Sequence, residues 1–116
     1  MLRSAGGSER ARPFFVWLPT QGFLEMRLLV QIDLTDADIA RFEAYETAVL
    51  ALLPDHGGML ELRVRGTDRP IETHVLSFPS DQAFDDFVHD PRRIALAQDW
   101  VDCGARADRW GVVEVN

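Results

Sequence analysis

Met59-Leu60-Glu61-Leu62-Arg63-Val64-Arg65 alternates apolar and charged side chains over a full strand length, and Gly66-Thr67-Asp68-Arg69-Pro70 then turns the chain into Ile71-Glu72-Thr73-His74-Val75-Leu76-Ser77-Phe78. Period-two alternation marks a half-buried strand, and a Gly- and Pro-bounded loop between two such runs marks a hairpin. A register with Val64 opposite Ile71 sets Leu62 against Thr73 and Leu60 against Val75. On the other face it sets Arg63 against Glu72 and Glu61 against His74. Opposite charges across a strand pair are favourable, whereas a one-residue slip would put Leu62 against His74.

Upstream, Arg27 to Leu34 is apolar-rich (Leu28, Leu29, Val30, Ile32) and reads as a buried strand. Thr35-Asp36-Ala37-Asp38 resembles a helix-capping box with Thr35 as N-cap. The helix it opens is expected to run to about Leu53, with Phe42, Tyr45, Val49, Leu52 and Leu53 at helical spacing. Pro54 is expected to stop it, and Gly57-Gly58 to turn the chain. Downstream, Ser80 is the expected N-cap of a second helix carrying Phe84, Phe87 and Val88. Asp90-Pro91 restarts it, with Asp90 as cap and Pro91 at the first helical position. Trp110 to Val115 reads as the last strand. The order βαββαβ predicts an α+β ferredoxin-like sandwich, with both helices on one face of an antiparallel sheet. A sheet left bare on its other face predicts self-association.

The chain has 116 residues, and all twelve of its basic residues are Arg, against nineteen acids, for a net charge of −7. That length suits one domain. The acidic balance argues against a nucleic-acid partner, and also against an anionic membrane surface. No stretch approaches the roughly 20 apolar residues of a membrane-spanning helix, and a cytoplasmic location is expected. The single Cys103 excludes an internal disulfide, and the acids beside it do nothing to activate a thiol.

Residues 1–25 differ from the rest: they are Gly- and Pro-punctuated, and their one apolar run, Phe14 to Leu18, ends at Pro19. They are read as an N-terminal extension, either flexible or outside the natural protein with translation starting at Met26. The domain is expected to span 26–116, where nine Arg face seventeen acids.

The stretch from Met26 to Val115 resembles the family of domains of unknown function numbered 1330, in the dimeric α/β-barrel superfamily. The resemblance rests on Phe42-Glu43-Ala44-Tyr45-Glu46 leading to Leu52-Leu53-Pro54-Asp55-His56-Gly57-Gly58. It rests also on Leu60-Glu61-Leu62-Arg63-Val64-Arg65, on Val75-Leu76-Ser77-Phe78-Pro79-Ser80 with Phe84, and on Asp90-Pro91-Arg92-Arg93. Members often carry an aromatic where Arg92 and Arg93 stand. The resemblance implies a homodimer whose two sheets form a dimeric α/β barrel. It names no activity. Superfamily relatives include cofactor-free monooxygenases, lactone isomerases and haem enzymes, and fold alone does not choose among them.

On this reading Glu61, Arg63, Glu72 and His74 share the face without helices, joined by Gln31 and Asp33 from the first strand. Leu76 and Phe78 then fall on that face too, making a mixed apolar and polar cleft suited to a small organic ligand. His74 is the candidate catalytic acid/base, tuned by Glu61 or Glu72. Arg63 is the candidate holder of a carboxylate or enolate, with Glu72, Asp33 and Gln31 as further ligand-binding candidates. No metal and no cofactor is expected, because the three His have no metal-binding spacing. His56 and His89 are read as structural, and Tyr45, Trp100 and Trp110 as core or interface. Two functions compete. One is a cofactor-independent monooxygenase or isomerase of a polyketide-like or aromatic substrate, which needs His74 exposed in an open cleft. The other is a non-catalytic interaction module, which needs Arg63 and Glu72 paired and the interior filled.

Overall fold

The computed structural model describes residues 25–116, so nearly all of the expected N-terminal extension lies outside the described residues. Strands β1 (Met26–Asp33), β2 (Met59–Arg65), β3 (Ile71–Phe78) and β4 (Arg106–Gly111) form one antiparallel sheet in the order β2-β3-β1-β4. Helix α1 (Ile39–Leu50) connects β1 to β2; α2 (Asp81–Val88), α3 (Pro91–Ile94) and α4 (Ala97–Cys103) connect β3 to β4. This is the expected ferredoxin-like α+β fold.

The caps follow side-chain chemistry. Ser80 Oγ accepts the Ala83 N–H at 3.1 Å and opens α2, and Asp90 Oδ1 accepts the Arg92 N–H at 2.9 Å and opens α3, as expected. The cap of α1 is Asp38 rather than Thr35: its carboxylate accepts the Arg41 N–H at 3.1 Å. Thr35 sits in a turn before the helix, and its own N–H is taken by Asp33. Pro54 does not simply stop the chain. It occupies the first turn of a short 3-10 segment, Leu53–His56, where its missing N–H costs nothing. His56 closes that segment by donating from Nε2 to Asp90 at 2.8 Å, which clamps the turn to the start of α3.

The last strand lies earlier than expected, at Arg106–Gly111 rather than Trp110–Val115. Gly104, at φ +80°, turns the chain directly out of α4, and Arg106 is already opposite Asp33. The run Val112-Val113-Glu114-Val115 carries the stronger β propensity, but only Val112 still reaches β1, donating its N–H to the Arg27 carbonyl at 3.1 Å.

The hairpin register is displaced by two residues from the expected one: Arg65 faces Glu72, Val64 faces Thr73 and Arg63 faces His74. A two-residue shift keeps every side chain on its face, and opposite charges still meet. The larger difference is a β-bulge at Glu61, between the Leu60–Leu76 and Leu62–Val75 pairs. The extra residue reverses parity. Leu60 therefore packs into the core, while Leu62 and Val64 turn to the opposite, helix-free face and are each 48% exposed.

Two apolar clusters lie between sheet and helices. One gathers Val49, Leu53, Leu76, Phe78 and Phe87; the other gathers Ile32, Leu34, Phe42, Cys103 and Ala105. Cys103 is part of this core, with its thiol donating to the Trp100 carbonyl. A Cβ on Gly104 would meet the Asp36 carbonyl oxygen at 2.6 Å, besides forcing a left-handed conformation. Gly104→Ala is therefore expected to cost on the order of 2–3 kcal/mol of stability, lowering Tm by about 10 °C or more in a thermal melt.

Candidate functional site

The even-numbered side chains of β3 decide the site. Leu76 and Phe78 are core residues, so Glu72 and His74, at the same parity, also point at the helices. This corrects the expected placement: the candidate cluster lies under α1, not on the open face, because the apolar half of the same strand face must be covered. Glu72 is 1% and His74 2% exposed.

Glu72 is saturated. Its Oε1 accepts Arg65 Nε at 2.8 Å and Arg65 Nη2 at 2.6 Å; its Oε2 accepts Arg63 Nε at 2.8 Å and His74 Nε2 at 2.5 Å. Glu43 of α1 then bridges the outer ends of the same two arginines, at 2.9 Å from Arg63 and 2.6 Å from Arg65. Burial alone would raise the Glu72 pKa, but the hydrogen bonds from His74, Arg63 and Arg65 outweigh it and hold the carboxyl below its ordinary range. Glu72 is thus a fixed anion. An ionised carboxylate only accepts, so His74 Nε2 carries the proton in this pair and Nδ1 is left as the basic atom.

The Nδ1 edge of His74 lies 3.8 Å from Glu46 Oε1, too far for a hydrogen bond. Glu46 stands on the apolar stripe of α1 between Phe42 and Val49 and is 6% exposed. Burial, reinforced by the charges of Glu72 and Glu43 and opposed by Arg63, pushes its carboxyl up to about 7. His74 and Glu46 both line a cavity of about 250 Å³ between the sheet and the helices. Val30, Val49 and Leu76 supply apolar wall, and Tyr45 stacks on Trp100 at 5.1 Å along another side. Arg93 and Arg109 also line it. The volume lies a little below the roughly 300–1,000 Å³ of drug-sized ligand sites, so an occupant would be compact.

The other candidates go elsewhere. Glu61, in the bulge, is bound by Arg27 Nε at 2.9 Å and does not reach His74. Gln31 and Asp33 pair with Thr73 and Ile71 on the open face, where Asp33 accepts from Thr35 and Arg106. Arg63 is near His74 but its guanidinium is occupied by Glu72 and Glu43. Among the described residues no three His, Cys, Asp or Glu side chains are placed to hold a metal ion, and no helix is long and apolar enough to cross a membrane. Glu46, Tyr45, Trp100, Arg93 and Arg109 were not expected in a site. The readable signal for Glu46 was a carboxylate inside a helical apolar stripe; nothing local marks the two arginines.

The features that would separate the competing functions are mixed. Arg63 and Glu72 are paired, as an interaction module would have them; His74 borders a cavity on the helix side but is 2% exposed, where a monooxygenase or isomerase was expected to expose it in an open cleft.

Solved structures of similar shape are found. SnoaB, a cofactor-independent oxygenase from Streptomyces nogalater, matches with a TM-score of 0.67 at 14% identity, over 79% of this chain and 94% of that one. A protein from Agrobacterium tumefaciens matches with a TM-score of 0.64 at 14% identity, over 78% of this chain and 93% of that one. A candidate antibiotic biosynthesis monooxygenase from Caulobacter crescentus matches at 0.61 and 14% identity, over 78% of this chain and 91% of that one. The chain shares their fold. No protein-family description matches it, that of the domains of unknown function numbered 1330 included, and no curated protein sequence matches it.

The raised carboxyl of Glu46 has a consequence for stability. Its affinity for a proton is higher in the folded chain than in the unfolded one, where the ordinary value is 4.5. The folded state therefore loses stability as pH rises from about 4.5 through 7, and the full cost is present above that. Glu46→Gln is expected to be more stable than the native chain at pH 8, by on the order of 2–3 kcal/mol. The difference should vanish toward pH 5 in urea unfolding series. A pH-independent difference would contradict the assignment.

Proposed function

We propose that the chain is a cofactor-independent oxygenase acting on a small aromatic or polyketide-like molecule in the cavity under α1, with His74 as general base. The observation that carries this is the buried His74–Glu72 pair opening on an apolar cavity. A carboxylate held by two arginines fixes the imidazole and its tautomer, leaving Nδ1 toward the cavity wall. Likeness in fold to SnoaB supports the same chemistry. Proton abstraction from an activated methylene gives an enolate, and addition of dioxygen followed by loss of water turns that methylene into a carbonyl. Glu46, titrating near neutrality, is the second group able to carry the proton. Arg63 has a positioning role, through Glu72. Glu61, Gln31 and Asp33 have no place in this site.

We infer further that two copies pair through the helix-free sheet face. Met59, Leu62, Val64 and Trp110 stand exposed on that face, and a contiguous apolar patch of this kind favours burial against a second copy. Light scattering is expected to give a dimer at micromolar concentration, and Val64→Glu a monomer with the native fold. A native chain that is monomeric would refute the pairing.

For the chemistry, the test is oxygen uptake with anthrone, whose acidic methylene becomes a carbonyl with release of one water per dioxygen. Turnover is expected in the native chain. His74→Ala should lower kcat by about 10²–10⁴-fold, and Glu72→Gln should lower it with a changed pH profile. Turnover unaffected by His74→Ala, or none in the native chain, would overturn the proposal.

A further inference from the structure

The nine arginines of the domain are unevenly used. Arg27, Arg41, Arg63, Arg65, Arg92 and Arg106 each have a carboxylate within 4.0 Å. Among the described residues Arg69, Arg93 and Arg109 have none. Arg69 is in the hairpin loop, and the other two line the same cavity. In a domain with nearly twice as many acids as arginines, two cations without an anion at one site call for a partner.

Arg93 is the more constrained. Its Nε is buried and, among the described residues, has no hydrogen-bond partner, while Nη1 donates to the Val88 carbonyl at 3.2 Å. A buried donor left unpaired costs free energy. Its guanidinium lies 5.6 Å over the Phe87 ring, and that of Arg109 lies 5.5 Å over Phe84. Stacking occupies the flat face of a guanidinium and leaves its N–H edge for a planar anion. Its neighbour Arg92 is turned the other way, toward Asp90 and Asp55, in the clamp that fixes the start of α3.

The sheet register gives the spacing. Arg63, His74, Val30 and Arg109 form one transverse row across β2, β3, β1 and β4. His74 and Arg109 are therefore two strand spacings apart, about 10 Å between Cα atoms. Val30 supplies apolar floor between them.

We propose that the ligand of this cavity is an apolar, ring-bearing carboxylic acid whose carboxylate is held by Arg93 and Arg109 while its body reaches toward His74. The proposal rests on the reading of the cavity as a ligand site and adds the class of ligand. A monoanion fits better than a phosphate ester, because the Glu46 carboxyl also borders the cavity and opposes a second negative charge. The role expected of Arg63, holding a carboxylate, thus moves to two other arginines, since Arg63 is already committed to Glu72 and Glu43.

The test is calorimetric binding of 2-naphthoate against 2-naphthamide, which has nearly the same shape and no charge, with 2-naphthyl phosphate as a third arm. The native chain is expected to prefer the acid over the amide by about tenfold or more, and over the phosphate. Arg93→Met should abolish that preference by weakening acid binding far more than amide binding, and retained amide binding reports an intact cavity. Arg109→Met, at an exposed position, should reduce the preference without touching the core. Equal binding of acid and amide by the native chain, or a preference that survives both substitutions, overturns the anionic ligand and leaves the cavity reading intact. Preference for the phosphate overturns the carboxylate. Binding of none of the three overturns the cavity reading and this proposal together.

Discussion

A single carboxylate, that of Glu72, constrains most of the polar architecture. It is almost fully withdrawn from solvent and accepts four N–H bonds from three side chains. Two of those side chains belong to β2 and one to β3, so satisfying Glu72 ties the two strands of the hairpin together. An ionised group in the interior is tolerable only when every lone pair is engaged. The arginines in turn draw Glu43 from α1 onto the sheet edge, tying helix to hairpin. What reaches the cavity from this network is one group, the His74 imidazole, held in one tautomer. The network is thus less a source of net stability than a means of fixing one orientation among many.

The bulge at Glu61 makes that arrangement compatible with a core. Without it, the alternation of β2 would place Leu60, Leu62 and Val64 together and Arg63 and Arg65 opposite them. With it, Leu60 joins the buried cluster beside Leu76 while both arginines remain on the Glu72 side. The cost is that Leu62 and Val64 face outward on the helix-free side. The same extra residue therefore completes a charge network under the helices and creates an apolar surface on the opposite face. Site and open face are coupled through one local irregularity.

This also explains which parts were legible in the sequence. The hairpin, the order of elements and the caps at Ser80 and Asp90 follow from local chemistry, since the cap needs only its own next turn. The clustering of Arg63, Glu72 and His74 follows from parity, and parity survives a two-residue shift. The face they occupy did not follow from β2, whose unbroken alternation conceals the bulge. It was available from β3, where Leu76 and Phe78 share the parity of His74 and must be covered. Charge pairing could not choose the register, because Arg63 and Arg65 each satisfy Glu72. The set drawn from β1 failed for the same reason of parity, as Gln31 and Asp33 oppose Leu28, Val30 and Ile32. Arg93 and Arg109 lie sixteen residues apart on different elements, and only the closed sheet brings them to one cavity.

The way those two arginines are held answers a difficulty posed by the composition. In a strongly acidic domain an unpaired guanidinium would ordinarily find a carboxylate, as Arg92 does at Asp90 and Asp55 and Arg106 at Asp33. Phe84 and Phe87 offer an alternative. A guanidinium stacked on a ring gains a favourable contact worth about 0.5–2 kcal/mol while no anion neutralises it. Both rings come from α2, and Phe84 and Phe87 also pack on Phe78 at 5.4 Å each, so the platform is part of the core. At physiological ionic strength the Debye length is about 8 Å, so distant surface acids are largely screened from a cavity between sheet and helices. The charges that count there are the ones lining it, Arg93 and Arg109 against the Glu46 carboxyl, even though the domain as a whole is acidic.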